Sequence, residues 1–403
     1  MNGKPMTPPE TDIHWVKASI AGLAACLVGI GVARFAYSPL LPMVIAAGWF
    51  DAGDAAYLGA ANLAGYLAGA LSARWVGTKM PVKTAVPLMM LICGLSFATC
   101  AVPAPFAWFF VWRFAGGVAG GVIMILSASA VLGRVPPARR GLAGGIVFTG
   151  VGVGIALGGI IVPLLASFDL GVTWAALAVA CGLVLLLSWP LWRQMDEPSQ
   201  NDNTTAKLIQ HDDRSLYVLY AIYTMAAIGL VAPMVFLADY VARSLNMGVA
   251  GAGIVWVTFG VGALFGAIGT GRLADAIGFR NAIVLAVLIE IATVAAIPFA
   301  GNGPFLYVGA LITGALVPGI VPLAAGRSHI LAGDDPARRM RAWSRATTGF
   351  SVGQAAAGYL LSFIYDVTGR HDLLFFISAA VAVIALALVL VPSLNPEPKD
   401  ERL

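Results

Sequence analysis

Long apolar runs alternate along this chain with short polar or Gly/Pro-containing breaks, and the runs repeatedly reach the ~20 residues that a helix needs to cross a bilayer. The pattern predicts twelve spans, at 17–47, 54–74, 82–102, 105–133, 141–167, 171–193, 215–242, 249–272, 280–299, 304–332, 343–365 and 372–392. Six precede a polar stretch and six follow it. That stretch carries Asp196, Glu197, Asp202, Asp212 and Asp213 and reads as a flexible cytoplasmic linker. The expected organisation is an N-terminal six-helix bundle over 1–193, a linker over 194–214 and a C-terminal six-helix bundle with a short cytoplasmic tail over 215–403.

An internal repeat tests this count. Residues 137–159 reappear without a gap as 336–358, 199 positions later, with eleven of 23 pairs identical. The matches include Pro-Ala-Arg-Arg at 137–140 and 336–339, Thr149-Gly150 with Thr348-Gly349, Gly154 with Gly353, and Gly159 with Gly358. Both copies start in a basic loop and enter a span, so an even number of crossings separates them if their orientation is the same. Six satisfies this. The halves are then parallel repeats related by an axis along the membrane normal, with a site expected where they meet.

Composition fixes the class and charge the orientation. The chain is 59% hydrophobic and 11% charged, with mean hydropathy +0.87, as an all-α polytopic membrane protein requires. Placing the amino terminus inside puts 19 of the 24 Lys and Arg in cytoplasmic segments and leaves only Arg243 and Arg370 in external loops. Both termini are therefore expected in the cytoplasm of a cell whose inner membrane holds the chain. The net charge of +4 and pI near 8.9 follow from that topology and indicate no nucleic-acid partner. The first apolar run exceeds the length of a signal h-region, so it is read as a retained span. Cys26, Cys93, Cys100 and Cys181 lie inside spans at unrelated spacings, which fits packing better than a disulfide framework or a metal site. Trp15, Trp49, Trp75, Trp108 and Trp192 lie near span ends and read as interfacial anchors.

Three local motifs join this architecture. After span 8, Gly271-Arg-Leu-Ala-Asp275-Ala-Ile-Gly278-Phe-Arg280 suits a tight turn between closely approaching helices. Span 4 carries Arg113-x-x-x-Gly117-x-x-x-Gly121, and span 5 carries Gly141, Gly150, Gly154 and Gly158-Gly159. Together with six plus six spans, these resemble the major facilitator superfamily: its cytoplasmic gate loop, its fourth-helix Arg/Gly signature and the fifth-helix glycines of its antiporting members. Ile155 stands where the antiporter signature has proline. In the first half Arg74 stands where Asp275 does in the second, so the first gate loop departs from the pattern. The opening Gly31-Val-Ala-Arg34-Phe35-Ala-Tyr37-Ser-Pro39-Leu-Leu-Pro42 is similar to the YbfB/YjiJ-like branch.

The resemblance implies that spans 1, 4, 7 and 10 line a central cavity, that the chain works as a monomer, and that Gly271, Asp275, Gly278 and Arg280 belong to a gate, with Asp275 facing a helix amino terminus across the halves. Arg34, Arg113 and Arg327 fall on spans 1, 4 and 10. A charge within the bilayer costs about 2.5–3.5 kcal/mol or more unless it faces protein or water, and guanidinium grips carboxylate or phosphate in a fork. An anionic or partly anionic small-molecule substrate is therefore expected, with Arg34 as its principal ligand. Arg113 divides between ligand and packing roles, and Arg327, near the cytoplasmic end of its span, is read as a gate or snorkelling residue. Tyr37, Asn62, Tyr66, Tyr223 and Gln354 are the candidate polar lining. Gln354 replaces Ile155 of the first repeat copy. Glu290, on an outer helix, and Asp239, expected to be solvated at the external end of span 7, are the candidates for carrying a coupling proton.

No catalytic motif competes with this reading. His14, His211, His329 and His371 are scattered, and no nucleophile elbow, nucleotide loop or cofactor-binding pattern is present. The expectation is a secondary active transporter rather than an enzyme, without cofactors or metals. Proton-coupled export of an anionic metabolite or drug-like compound is the leading direction, and import or exchange of small organic acids the alternative. A non-transporting sensor or membrane enzyme is the remaining class.

Overall fold

A computed structural model of the chain describes residues 10–136, 139–195, 214–333 and 335–391. The linker and both tails named above lie outside them, apart from Gln194, Met195 and Arg214. The twelve predicted spans form as helices. Span 1 comprises α1 (Glu10–Cys26), a π turn (Leu27–Val32) and α2 (Tyr37–Ala46). Spans 2 to 6 are α3 (Ala52–Lys79), α4 (Val82–Ala98), α5 (Phe106–Leu132), α6 (Arg140–Leu164) and α7 (Leu170–Arg193). Span 7 is α8 (Arg214–Gly229), α9 (Val231–Asp239) and a second π turn (Tyr240–Ser244). Spans 8 to 12 are α10 (Gly248–Ile277), α11 (Phe279–Ala296), α12 (Pro304–Ala332), α13 (Pro336–Thr368) and α14 (His371–Leu390). Nine of these segments are long and apolar enough to cross a membrane on length and composition. The others are the 17-residue α4 and the more polar α3 and α13, which pack against each other.

Local chemistry ends the helices. Asp51 accepts from the Asp54 amide at 2.7 Å to cap α3, and Asp169 accepts from the Gly171 amide at 2.8 Å to cap α7. Gly278, with φ +81°, turns α10 into α11. Pro233 has no amide hydrogen to give the Gly229 carbonyl four residues earlier, and span 7 is interrupted at Leu230.

Glycines set which helices touch. Alanine at Gly65 or Gly69 of α3 would collide with the Phe114 and Val118 carbonyls of α5, and alanine at Gly117 or Gly121 with the Asn62 and Tyr66 carbonyls in return. Gly262 and Gly266 of α10 meet the Leu311 and Ala315 carbonyls of α12, and Gly314 meets that of Phe259. Gly65/Gly262, Gly69/Gly266 and Gly117/Gly314 are each 197 positions apart, so the repeat is expressed in the packing. Span 5 uses two faces. Gly150, Gly154 and Gly158 abut Leu23, Gly31 and Ala36 of span 1, while Gly152 and Gly159 abut α10. In the second copy Gly349 and Gly353 abut Thr224 and Ile228 of span 7, and Gly358 abuts Leu63 of α3.

The face carrying the loops with Lys79, Lys83, Arg134, Arg272 and Arg338 is the basic face. Towards the opposite face the halves meet: α2 packs on α9, and Ser38 Oγ donates to the Met234 carbonyl at 2.5 Å. Towards the basic face, α1 and α8, and likewise α5 and α12, make no extensive contact among the described residues. The central cleft therefore narrows towards the opposite face.

Burial corrects the expectation for two of the tryptophans and agrees with those for Ile155 and the cysteines. Trp15 and Trp192 are buried core residues; only Trp75 and Trp108 of the five are strongly exposed. Ile155 is buried in an α6 that continues unbroken past it. The four cysteines are free and buried, as packing residues would be.

Candidate functional site

Arg34 lies two residues past the end of the π turn of span 1. Its position arises from the irregular backbone there: the Ala33 amide bonds the Val28 carbonyl at 3.0 Å, five residues back, and the chain turns through Ala33–Ala36 before α2 begins. Wide turns of this kind re-aim one side chain within a helix. The clamp is tight, since alanine at Gly31 would fall 2.7 Å from the Gly154 Cα.

From this turn Arg34 reaches across to the second half. Its terminal nitrogen donates to Gln354 Oε1 of α13 at 2.6 Å, and Gln354 Nε2 lies 3.7 Å from the Met234 sulfur. The guanidinium stands 5.2 Å from the centre of the Tyr66 ring; the residue is partly exposed, while its Nε is buried and has no hydrogen-bond partner among the described residues. On the other side of Arg34 the cleft closes to a cavity of about 10 Å³ bounded by Tyr37, Ser38, Gly59, Asn62, Leu63 and Met234. That holds about one water molecule.

A buried layer supports it. Arg113 donates to the Ala33 carbonyl at 2.9 Å and lies 4.5 Å from the Tyr37 ring centre, and two of its guanidinium nitrogens have no hydrogen-bond partner among the described residues. Asn62 donates to the Arg113 carbonyl at 3.1 Å and the Ala33 carbonyl at 3.4 Å. Tyr37 donates to the Ala55 carbonyl at 2.7 Å. Five of the seven candidate lining residues, Arg34, Tyr37, Asn62, Tyr66 and Arg113, thus form one cluster in the first half, and Gln354 meets it from the second. Tyr223 stands apart in the second half, stacked on Phe350 at 4.8 Å.

The remaining candidates divide. Arg327 is fully buried, so it does not snorkel. Arg280 donates to the Val389 carbonyl at 3.3 Å, tying α11 to the end of α14 within its own half. Asp275 is exposed and makes no hydrogen bond or ion pair among the described residues; open space surrounds Gly271, so its expected close helix contact is not made in this conformation. Glu290 is fully buried in α11 with its carboxyl against Gly229, at the interruption of span 7, and neither oxygen has a partner among the described residues.

Asp239 differs most from expectation. It is fully buried and bonded to Arg243, Tyr365 and His371, a cluster that the sequence reading did not assemble. Tyr365 and His371 are over 120 positions away, so no local spacing announced it.

Similarity to known proteins agrees with this architecture. Residues 26–390 match the family model described as uncharacterised MFS-type transporter YbfB. The chain is 25% identical over 362 residues to the uncharacterized MFS-type transporter YceJ of Bacillus subtilis, covering 87% of this chain and 91% of that one. It is 28% identical over 195 residues to an uncharacterized MFS-type transporter of Mycobacterium tuberculosis, covering 47% of this chain and 43% of that one. The crystal structure of a mutant of the nucleoside transporter NupG superposes with a TM-score of 0.72 at 12% identity, over 94% of this chain and 99% of that chain, which shows a shared fold. A twelve-span fold and a family match across nearly its whole length lead to one conclusion: the chain belongs to the YbfB-type family of major facilitator transporters.

Proposed function

We propose that this transporter moves a small anionic or partly anionic organic solute by proton-coupled alternating access, with export as its working direction. The observation that carries this reading is Arg34: a partly exposed residue between the halves whose guanidinium is bonded to a neutral amide. A substrate carboxylate or phosphate offers it a stronger, charge-assisted acceptor than Gln354 does. Arg113, Asn62 and Tyr37 hold the turn that presents Arg34, Tyr66 supplies a ring face, and Arg113 adds positive charge behind the site.

Exchange of Gln354 for substrate links binding to movement, because the Arg34–Gln354 bond joins the two halves. With the basic face in the cytoplasm, as the Lys/Arg distribution favours, the cleft faces the cytoplasm in this conformation. Tyr223 lines the wall of the second half, Asp275, Gly271, Gly278, Arg280 and Arg327 act in closing the cytoplasmic side, and Glu290 and Asp239 are the acids available for coupling.

The experiment is transport by purified protein in vesicles under an imposed pH gradient, screening organic anions against lipophilic cations, with nucleosides as neutral controls. Anion movement driven by the gradient is expected. Movement of cations or nucleosides in preference to anions contradicts the charge argument.

A further inference from the structure

The central site does not use the buried cluster at the opposite face. Asp239 Oδ1 accepts Arg243 Nε at 2.7 Å, and Oδ2 accepts from a terminal Arg243 nitrogen at 2.8 Å and from the Tyr365 hydroxyl at 2.9 Å. His371 Nε2 lies 2.7 Å from the same Oδ2, and its Nδ1 lies 2.9 Å from Ser244 Oγ. Arg243 also bonds the Tyr365 hydroxyl. The π turn at Tyr240–Ser244 makes this possible by bringing Asp239, Arg243 and Ser244 to one side of span 7, where span 11 supplies Tyr365 and span 12 supplies His371.

This geometry distinguishes the two ring nitrogens. Nε2 faces a carboxylate and carries a proton whether the ring is neutral or charged. Nδ1 is the atom that gains or loses one, and the Ser244 hydroxyl serves either state, donating to bare Nδ1 or accepting from protonated Nδ1. The ring can therefore take a second proton without giving up either of its hydrogen bonds. A route to solvent is present: Ser244 is exposed, whereas the His371 side chain is 4% exposed.

Charge in the cluster is balanced only in one state. Asp239 offsets Arg243, and the neighbouring Arg370 and Asp372 pair with each other at 2.5 Å. Asp366, also on span 11, points towards Gly53, and the Tyr240 ring stands beside His371 and donates its hydroxyl to the Pro298 carbonyl. Protonating His371 leaves one excess positive charge, which the 34%-exposed Arg243 side chain relieves by turning to water. That removes a tie between spans 7 and 11 next to α9, the segment that seals the cleft through Met234 and Ser38.

We infer that His371 is the site where the transporter takes up a proton from solution at the face opposite its basic loops, with Asp239 orienting the ring and Arg243 as the charge that yields. The inference rests on the proton-coupled reading above, and two measurements separate them. The first is nitrogen-15 solid-state NMR of the protein in lipid, with His14, His211 and His329 replaced by Gln so that only His371 reports. Nδ1 is expected to pass from bare to protonated as the pH is lowered while Nε2 stays protonated; an Nδ1 that never gains a proton while the protein remains folded overturns the inference. The second is vesicle transport by His371→Gln: anion movement driven by a pH gradient is lost, while exchange at equal pH persists. Retained gradient-driven movement overturns the inference. If the unaltered protein moves no tested anion, the transport reading fails, and the NMR result alone decides the proton site.

Discussion

Arg34 was legible from the sequence because a lone guanidinium in mid-span has few places to go. Its partner was legible only as an anomaly, Gln354 in the place of Ile155. The structure joins the two at 2.6 Å, and a reciprocal pair of variants tests that bond. Gln354→Glu supplies a permanent internal anion that competes with substrate for Arg34, so transport is expected to fall well below that of Gln354→Ala; equal transport by the two, measured in the same vesicles, contradicts the role of Gln354. Asp239 is buried rather than solvated because it packs against Tyr365 and His371, whose approach no local pattern encodes. Trp15 and Trp192 are buried although they lie near span ends: position near a span end does not say which way a ring points.

Helix pairing was legible in part. Glycine spacing marked spans 4 and 5 as contact helices, and the repeat placed them in both halves, but only the structure shows that span 5 divides its glycines between span 1 and α10. The consequence is a graded set of substitutions. Gly117→Ala drives a methyl group into the Asn62 carbonyl and is expected to cost about 1–3 kcal/mol, seen as a lowered melting temperature in detergent. Gly271→Ala meets nothing within 4 Å and is expected to leave that temperature unchanged. The π turns of spans 1 and 7 escaped the sequence reading, since an apolar run has the same composition whether its hydrogen bonds step four residues or five. Those turns aim Arg34 and gather Arg243 and Ser244, so what the sequence concealed at this scale is what positions the chemistry.

At the scale of the molecule, the sequence revealed twelve spans in two repeats, because hydropathy and duplication are global signals. Which face is closed was not legible, since one sequence encodes every state of the cycle. The closed face offers a direct cross-link. A Cβ built on Gly53 of α3 lies 3.0 Å from the Asp366 Cβ of α13, close to the ~3.8 Å of a disulfide, and the native cysteines are buried. Oxidised Gly53→Cys/Asp366→Cys protein is expected to lose transport and recover it on reduction, as measured by vesicle flux before and after reductant. Undiminished flux in the cross-linked state contradicts opening at this face.

Substrate recognition centres on Arg34 meeting the charge of the solute between the halves. Its direct test is exchange of a transported organic anion at equal pH by unaltered, Arg34→Lys and Arg34→Ala proteins. Losing a charge-assisted contact of about 1.5–3 kcal/mol predicts that Arg34→Ala weakens apparent affinity roughly 10- to 150-fold, with Arg34→Lys, which keeps charge but not the fork, in between. Exchange by Arg34→Ala at unchanged affinity contradicts it.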